Sequence, residues 1–458
     1  MKKLIIVSIC LFSLCDVGFP NYTIKIKVKG LPLYPVLLTD FYGDKNAVID
    51  TVQTDFNGVA LFSVPDNQHA GMYKFVFKDD KFIDFIFNKE NVEMETDMNN
   101  VQGNIHVIES KENKLYFDYL KALSMQRSKF DALQQLVDKY PAQDPFVKQV
   151  YYEYNDEKNS FKQFEDSLER ANAATYAARV IRLKSEVLPD ISLSSFERVQ
   201  FKKTHWFDNT DFNDTLLIYS NGLTTKIIEY LTIYASKYFS PEQQTQVFRS
   251  AIDSILSKSR VNKKMYDFTV DFLFNGFEQM GNDKLVEYVA SKYTNENSCE
   301  HDGSKTTLER KVLTYTKLKI GTDAPAFDAI SDKGTKVSLN TYADKTILLV
   351  FWATWCPHCM QTMPELKKLY NSRIDNNFEM VTVSLDTSKT EWKDYVTRNG
   401  FTSNTNICDG KSWDGAMASA YYVYSSPTIL VIKNKKIIAR PNDMETLMTV
   451  LKENNIIK

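Results

Sequence analysis

The sequence predicts a multidomain chain: a small β-sandwich-like domain at the N-terminal end, an α-helical middle domain, and an α/β domain at the C-terminal end. Three observations predict it. Across residues 21–108, short runs alternate apolar and polar side chains, the period of half-buried strands. From about Ser110 to residue 315 apolar residues recur at helical spacing. After residue 319 the apolar runs become continuous, as in parallel strands buried on both faces, and they alternate with helical stretches.

At 458 residues a single core is not expected, and the length suits about three domains. With 43% hydrophobic and 25% charged residues the composition is that of a soluble protein. The net charge of -2 gives no electrostatic basis for a nucleic-acid partner.

The first element, residues 1–15, reads as a targeting segment. Met1-Lys2-Lys3 is a basic start and Leu4–Leu14 an apolar stretch, too short to span a bilayer and suited to a secretory signal. Cleavage after Cys15 and lipidation of Cys15, which would anchor the chain to a membrane, are the two alternatives. No other run is long and apolar enough for a transmembrane helix.

The β-region follows. Thr23–Val28 sets Ile24, Ile26 and Val28 on one face. Further strands are expected at Pro35–Phe41, Ala47–Thr54, Val59–Val64, Tyr73–Phe77, Phe82–Phe87 and Val92–Thr96. Asn57-Gly58 signals a hairpin. Seven short strands at this spacing predict a sandwich or barrel. His69 and His106 are isolated and read as polar residues rather than ligands.

In the helical region, Leu115, Tyr119 and Leu123 lie on one face, as do Phe130, Leu133 and Val137. Asp144-Pro145 and Ser240-Pro241 pair a capping residue with a first-turn proline. Helices are expected near 146–168, 173–186, 223–237, 241–258, 264–280 and 283–292. The stretch His205–Leu217 reads as a polar-aromatic loop. Its histidine and acids lack a second His or Cys to make a metal site.

The final domain opens at Gly321-Thr322-Asp323-Ala324-Pro325-Ala326-Phe327, with short strands at Phe327–Ile330 and Val337–Leu339. Ile347–Trp352 is a buried strand, followed by a helix from about Cys356 to Ser372. Phe378–Leu385 is the next strand and Glu391–Asn399 the next helix. Thr428–Ile432 and Lys436–Ala439 make a hairpin, and Met444–Asn454 closes the chain. The order β-β-β-α-β-α-β-β-α is that of a thioredoxin-type domain.

The chemistry concentrates at Trp355-Cys356-Pro357-His358-Cys359, on the turn from strand to helix. Two cysteines at this spacing can open and close as a disulfide. Exchange needs an attacking thiolate and a second thiol to resolve the mixed disulfide. Cys356 at the helix N-terminus is placed for attack, because free N–H groups and the positive helix end stabilise a thiolate there. Cys359, one turn in, is placed to resolve. Pro357 is tolerated in the first turn, and His358 can favour the Cys356 thiolate. The other cysteines stand apart: Cys10 and Cys15 in or beside the signal, Cys299 near His301, and Cys408 before Asp409-Gly410. Structural zinc needs two further ligands, usually a second close pair, and the only other cluster, Cys299 with His301, lies in the hydrophilic stretch Asn295–Ser304. Cys408 reads as a buried small residue.

From about Leu318 onward the chain resembles the TlpA/ResA-like thiol–disulfide oxidoreductases of the thioredoxin superfamily. The matching residues are Gly321, Ala324, Pro325 and Phe327 of the entry, the run Phe351–Cys359, Pro364 in the following helix, and Ser426-Pro427-Thr428. The upstream arrangement resembles multidomain members with an N-terminal β-domain and a helical middle region. The residue patterns divide the chain into four segments: 1–15 signal, 21–108 β-sandwich-like, 110–315 helical, and 319–458 thioredoxin-like. The resemblance implies a redox-active Cys356–Cys359 pair with no other cofactor and no metal, supported by Trp355, Pro357, His358 and Pro427. Pro427 is expected cis and facing the disulfide, with Ser426, Pro427 and Thr428 meeting substrate. The implied partners are protein thiols or disulfides and an upstream redox protein, in the periplasm or cell envelope, and the family often works in the reducing direction. A homodimer is one use the upstream domains could have.

Two positions depart from relatives. The slot of thioredoxin's buried acid falls at Leu349–Val350, and the Glu that many relatives carry after the second cysteine is Thr362 here. No proton acceptor for Cys359 is therefore evident. Pro357-His358 is the dipeptide of DsbA-type oxidants, which keeps an oxidase or isomerase open beside a reductase. The Ala-Pro-x-Phe entry is AhpC/TSA-like and is shared with peroxiredoxins, but the paired cysteines argue against a peroxiredoxin. The alternative from another class is a binding or scaffold protein with an incidental cysteine pair.

Overall fold

A computed structural model of the protein describes residues 22–141, 143–296, 305–374 and 376–457. The signal segment with Cys10 and Cys15, and the Cys299–His301 cluster, lie outside the described residues. The chain divides into two compact units, Met1–Thr269 and Val270–Lys458.

The first unit begins with eight strands in two sheets. One sheet orders β4 (Val59–Val64), β1 (Tyr22–Lys29), β7 (Val92–Asp97) and β8 (His106–Glu109). The other orders β3 (Lys45–Gln53), β2 (Pro35–Tyr42), β5 (Gly71–Val76) and β6 (Phe82–Phe87). The alternation read in β1 is real: Ile24, Ile26 and Val28 are fully buried. They share one core with Phe62 of their own sheet and with Tyr73, Phe75 and Phe85 of the other. The eighth strand, β8, was not expected; its pairing with β7 is short and interrupted by a register shift.

The hairpin expected at Asn57-Gly58 does not form. β3 and β4 belong to different sheets, and the turn carries the chain from one to the other. Asp55 shapes it, its Oδ1 accepting the N–H groups of Asn57 (2.8 Å) and Val59 (2.9 Å). Gly58 has φ +78, and a Cβ there would lie 2.2 Å from the Val28 carbonyl oxygen, so the signal marks a close backbone approach.

Helix α1 (Lys111–Lys139) starts at Ser110, whose hydroxyl accepts the Asn113 N–H at 2.9 Å. The buried Asn113 amide bonds both backbone groups of Ile86 on β6, each at 2.7 Å. Asp144 caps α2 (Pro145–Ala171) as expected. The buried Glu112 carboxylate accepts the N–H groups of Tyr176 (3.0 Å) and Ala177 (2.7 Å), two free donors at the start of α3 (Tyr176–Lys184). α4 (Ser195–His205) was not expected, because it buries no residue and so has no apolar stripe. α5 (Gly222–Tyr234) and α6 (Pro241–Ser259) follow, the latter capped by Ser240. The unit boundary falls within α7 (Lys263–Gln279).

His205 Nδ1 lies 2.7 Å from Asp208, while His69 stacks on Tyr219 at 4.2 Å. Among the described residues no group of three His, Cys, Asp or Glu could hold a metal ion. Among them, too, no helix is long and apolar enough to cross a membrane.

The second unit carries α8 (Asp283–Glu296) and α9 (Thr307–Lys317), then a small hairpin of β9 (Asp328–Ile330) and β10 (Lys336–Ser338). The main sheet is built from β11 (Thr346–Trp352), β12 (Phe378–Ser384), β13 (Thr405–Cys408), β14 (Thr428–Lys433) and β15 (Lys436–Ala439), in the order β13-β12-β11-β14-β15. Its helices are α10 (Pro357–Asn371), α11 (Lys389–Arg398), α12 (Ala416–Ala420) and α13 (Met444–Glu453). This is a thioredoxin-like domain. All seven residues of the central strand β11 are buried, and it runs parallel to β12 and antiparallel to β14.

β13, α9 and α12 were not expected. β13 hides its strand character because Asn406, fully buried, is satisfied by the Thr382 hydroxyl (2.8 Å) and the Phe401 carbonyl (2.9 Å) rather than by apolar neighbours.

Candidate active site

β11 delivers the loop that carries the cysteine pair. Trp352 ends the strand fully buried, and its carbonyl accepts the Leu385 N–H at 2.7 Å. Two residues on, Thr354 is held by Asp386. That carboxylate, 2% exposed, accepts the Thr354 N–H (3.1 and 3.2 Å to its two oxygens), the Thr354 hydroxyl (2.6 Å) and the Ser384 hydroxyl (2.6 Å). Trp355 then turns outward, 55% exposed, its ring 6.2 Å from that of Trp413.

Cys356 is the N-cap of α10, and its sulfur accepts the Cys359 N–H at 3.1 Å. Pro357 occupies the first turn, where its missing N–H costs nothing. Cys356 is 4% exposed and Cys359 fully buried behind it. Burial pushes the Cys356 thiol up, but hydrogen bonds from Cys359, from the Ser426 side and from the backbone of Cys359 and His358 outweigh it and hold the thiol below its ordinary value. Burial, reinforced by the Cys356 sulfur, pushes Cys359 up to about 12. The two thiols are thus shifted in opposite directions, Cys356 down and Cys359 up.

The Cys356 thiol donates to the Ser426 carbonyl at 3.4 Å, and the Ser426–Pro427 bond is cis, as the resemblance implied. Cys356, Cys359, Ser426 and Pro427 therefore come together. Thr428 opens β14, paired with Phe351 of β11. Pro357 and His358 are exposed beside the sulfur, and the contribution of His358 to Cys356 comes through its backbone N–H. Thr362 turns its hydroxyl back to the His358 carbonyl at 2.9 Å, and Leu349 and Val350 are fully buried, so neither acid slot of the relatives is filled.

The acid the sequence reading missed is Asp386. Its signal was available: a carboxylate directly after a buried strand, at the carboxyl end of a sheet where α/β domains build their sites. Cys408, at the end of β13, is 9% exposed and donates to the Asp386 carbonyl at 3.5 Å. Burial pushes its thiol up, so it packs as a small apolar residue rather than standing ready as a nucleophile.

Comparison with known proteins gives a consistent picture of this stretch. The family model described as the AhpC/TSA family matches residues 320–440. The thiol-disulfide oxidoreductase ResA of Bacillus thuringiensis is 29% identical over 123 residues, covering 27% of this chain and 69% of that protein. The thioredoxin-like protein YneN of Bacillus subtilis is 31% identical over 130 residues, covering 27% of this chain and 74% of that protein. Among solved structures, a thiol-disulfide oxidoreductase from Bacteroides fragilis aligns at 29% identity and a TM-score of 0.26, covering 29% of this chain and 99% of that one.

Proposed function

The chain belongs to the TlpA/ResA-like thiol–disulfide oxidoreductases, and we propose that it is an exported reductase of protein disulfides working through Cys356 and Cys359. One observation carries the reading: Cys356 caps α10 with its sulfur on the Cys359 N–H and against the Ser426 carbonyl, while Cys359 is buried behind it.

In the proposed reaction the Cys356 thiolate attacks one sulfur of a substrate disulfide. A new S–S bond forms, and the other substrate sulfur leaves as a thiolate and takes up a proton. Cys359 then loses its proton and attacks the Cys356 sulfur. The mixed disulfide breaks, the second substrate thiol departs, and the Cys356–Cys359 disulfide remains. Two electrons have passed from the pair to the substrate. Once Cys356 is in the mixed disulfide it carries no charge, which removes part of what holds the proton on Cys359. An upstream dithiol partner resets the pair by the reverse exchange, with no other cofactor.

Insulin reduction by wild type and Cys356→Ser tests the reading. Turnover is expected to vanish in the variant, and turnover that survives would overturn it. Cys359→Ala is expected to hold its substrate as a mixed disulfide through Cys356, so that mass spectrometry of the trapped adduct names the partner. The Pro357-His358 dipeptide favours a second reading, an oxidase or isomerase. A redox potential near about -270 mV supports the reductase, and one near about -120 mV supports the oxidant.

Export rests on the basic start and the apolar Leu4–Leu14 stretch, and sets the protein in the periplasm or cell envelope, lipid-anchored if Cys15 is modified. Analysis of the mature N-terminus distinguishes cleavage from lipidation. We assign residues 21–108 to a β-sandwich domain, 110–315 to a helical domain and 319–458 to the redox domain. The two sheets of the first sharing one core support the sandwich.

A further inference from the structure

The family match begins at residue 320, yet the compact unit that holds the cysteine pair begins at Val270. The segment between them, with the end of α7, α8 and α9, bonds directly to the loop that leads into Ser426-Pro427. Glu278 Oε1 accepts two phenol hydroxyls, from Tyr424 at 2.8 Å and from Tyr315 at 2.9 Å. Thr314 on α9 donates to the Tyr422 carbonyl at 3.0 Å. Arg440 lies 4.2 Å above the Tyr315 ring and donates to the Thr314 carbonyl at 3.0 Å, a further tie to α9. Two residues beyond Tyr424, the Ser426 carbonyl receives the Cys356 thiol.

We propose that Glu278 is a positioning residue for the redox site: by joining Tyr424 to Tyr315 it fixes the loop 422–427 against α9, and so sets how a protein disulfide is held beside Cys356. This rests on the proposed exchange through Cys356. The carboxylate is suited to the task. It is half-buried, it is an acceptor only, and one oxygen serves both hydroxyls, so the two tyrosines cannot drift apart without losing a bond. Burial, with Glu278 adding to it, pushes both phenols up, so they remain donors at any working pH. The loop it holds offers backbone groups rather than a reacting side chain. The effect is therefore expected in substrate affinity more than in the chemical step.

The test uses the full chain and insulin as the protein disulfide, with Glu278→Ala, Tyr424→Phe, their combination, and Glu278→Gln. Glu278→Ala is expected to raise KM about tenfold, with kcat within about threefold of wild type, since a hydrogen bond to a charged acceptor is the interaction lost. Tyr424→Phe removes one hydroxyl and keeps the ring, and is expected to raise KM about fivefold. The double variant is expected to be no worse than Glu278→Ala, because both changes break the same bond. Glu278→Gln keeps a carbonyl acceptor and is expected to stay within about twofold of wild type. Tyr424→Phe decides the question if Glu278→Ala does not fold. Turnover abolished by Cys356→Ser, with KM unmoved in Tyr424→Phe and in any folded Glu278→Ala, overturns this proposal alone. Turnover that survives Cys356→Ser overturns both readings.

Discussion

Replacing Asp386 by alanine should loosen the loop ahead of Cys356 without touching either cysteine. Three donors lose their acceptor: the Thr354 N–H, the Thr354 hydroxyl and the Ser384 hydroxyl. Asp386 and Ser384 are each 2% exposed, and Thr354 is half-buried. An orphaned buried donor costs about 1–3 kcal/mol, and water entering the space left by the carboxylate returns part of that, so the substitution is expected to cost about 3 kcal/mol. For a unit of this size that lowers the melting temperature by about 6–12 °C. Four of the five tryptophans (Trp352, Trp355, Trp392 and Trp413) belong to the second unit, so a thermal melt followed by tryptophan fluorescence reads that unit. Asp386→Asn keeps one carbonyl acceptor and is expected to lose about half as much. Alkylation of Cys356 by iodoacetamide, followed on the same samples, should change in rate, because Thr354 is two residues from the sulfur. A melt lowered by less than about 2 °C with an unchanged alkylation rate would show that these bonds contribute little, and the reasoning from orphaned donors would be wrong.

The divided pair predicts a divided titration. Iodoacetamide should label Cys356 at lower pH than an ordinary cysteine and leave Cys359 unlabelled until the pH approaches about 12; equal midpoints by peptide mass spectrometry would contradict the assignment. The signs for stability are opposite. The raised Cys359 gives a contribution that is full below its ordinary value of 9.0 and is lost as pH rises toward about 12, so the advantage of wild type over Cys359→Ala should shrink across that window. The lowered Cys356 gives one that is present above the ordinary value and is lost as pH falls through its folded value. In the first unit, Gly43→Ala should destabilise by about 2–3 kcal/mol, read by chemical denaturation. Gly43 has φ +63, and a Cβ would lie 2.7 Å from the Phe268 ring. An unchanged midpoint would mean that the ring moves away at no cost.

What the sequence made legible was whatever announces itself through apolar runs and local caps. β11 and the cysteine pair were visible because seven buried residues end at the turn. Asp144 and Ser240 were visible because a cap and a first-turn proline are one-dimensional signals. What stayed hidden depends on partners distant in sequence. β13 is held in part by Asn406 and its bond to Thr382. α4 buries nothing, and only its Ser194–Glu197 capping box marks it. α9 carries the same kind of mark, Thr306 and Glu309, which a search for such pairs would have found. Asp386 could have been suspected from its position after a buried strand. Its bonds to Thr354, 32 positions earlier, could not.

The Asn113 amide on Ile86 has a consequence for how the chain meets other copies of itself. β6 is the last strand of its sheet, so its outward backbone groups are a template on which an unfolded or neighbouring polypeptide could assemble. At Ile86 that template is already occupied, with one side chain supplying both the donor and the acceptor that an incoming strand would bring. A strand adding there would first have to displace a fully buried amide from three hydrogen bonds, two to Ile86 and one to Ser110. The first turn of α1 thus guards the sheet against runaway association while fastening the helix to it.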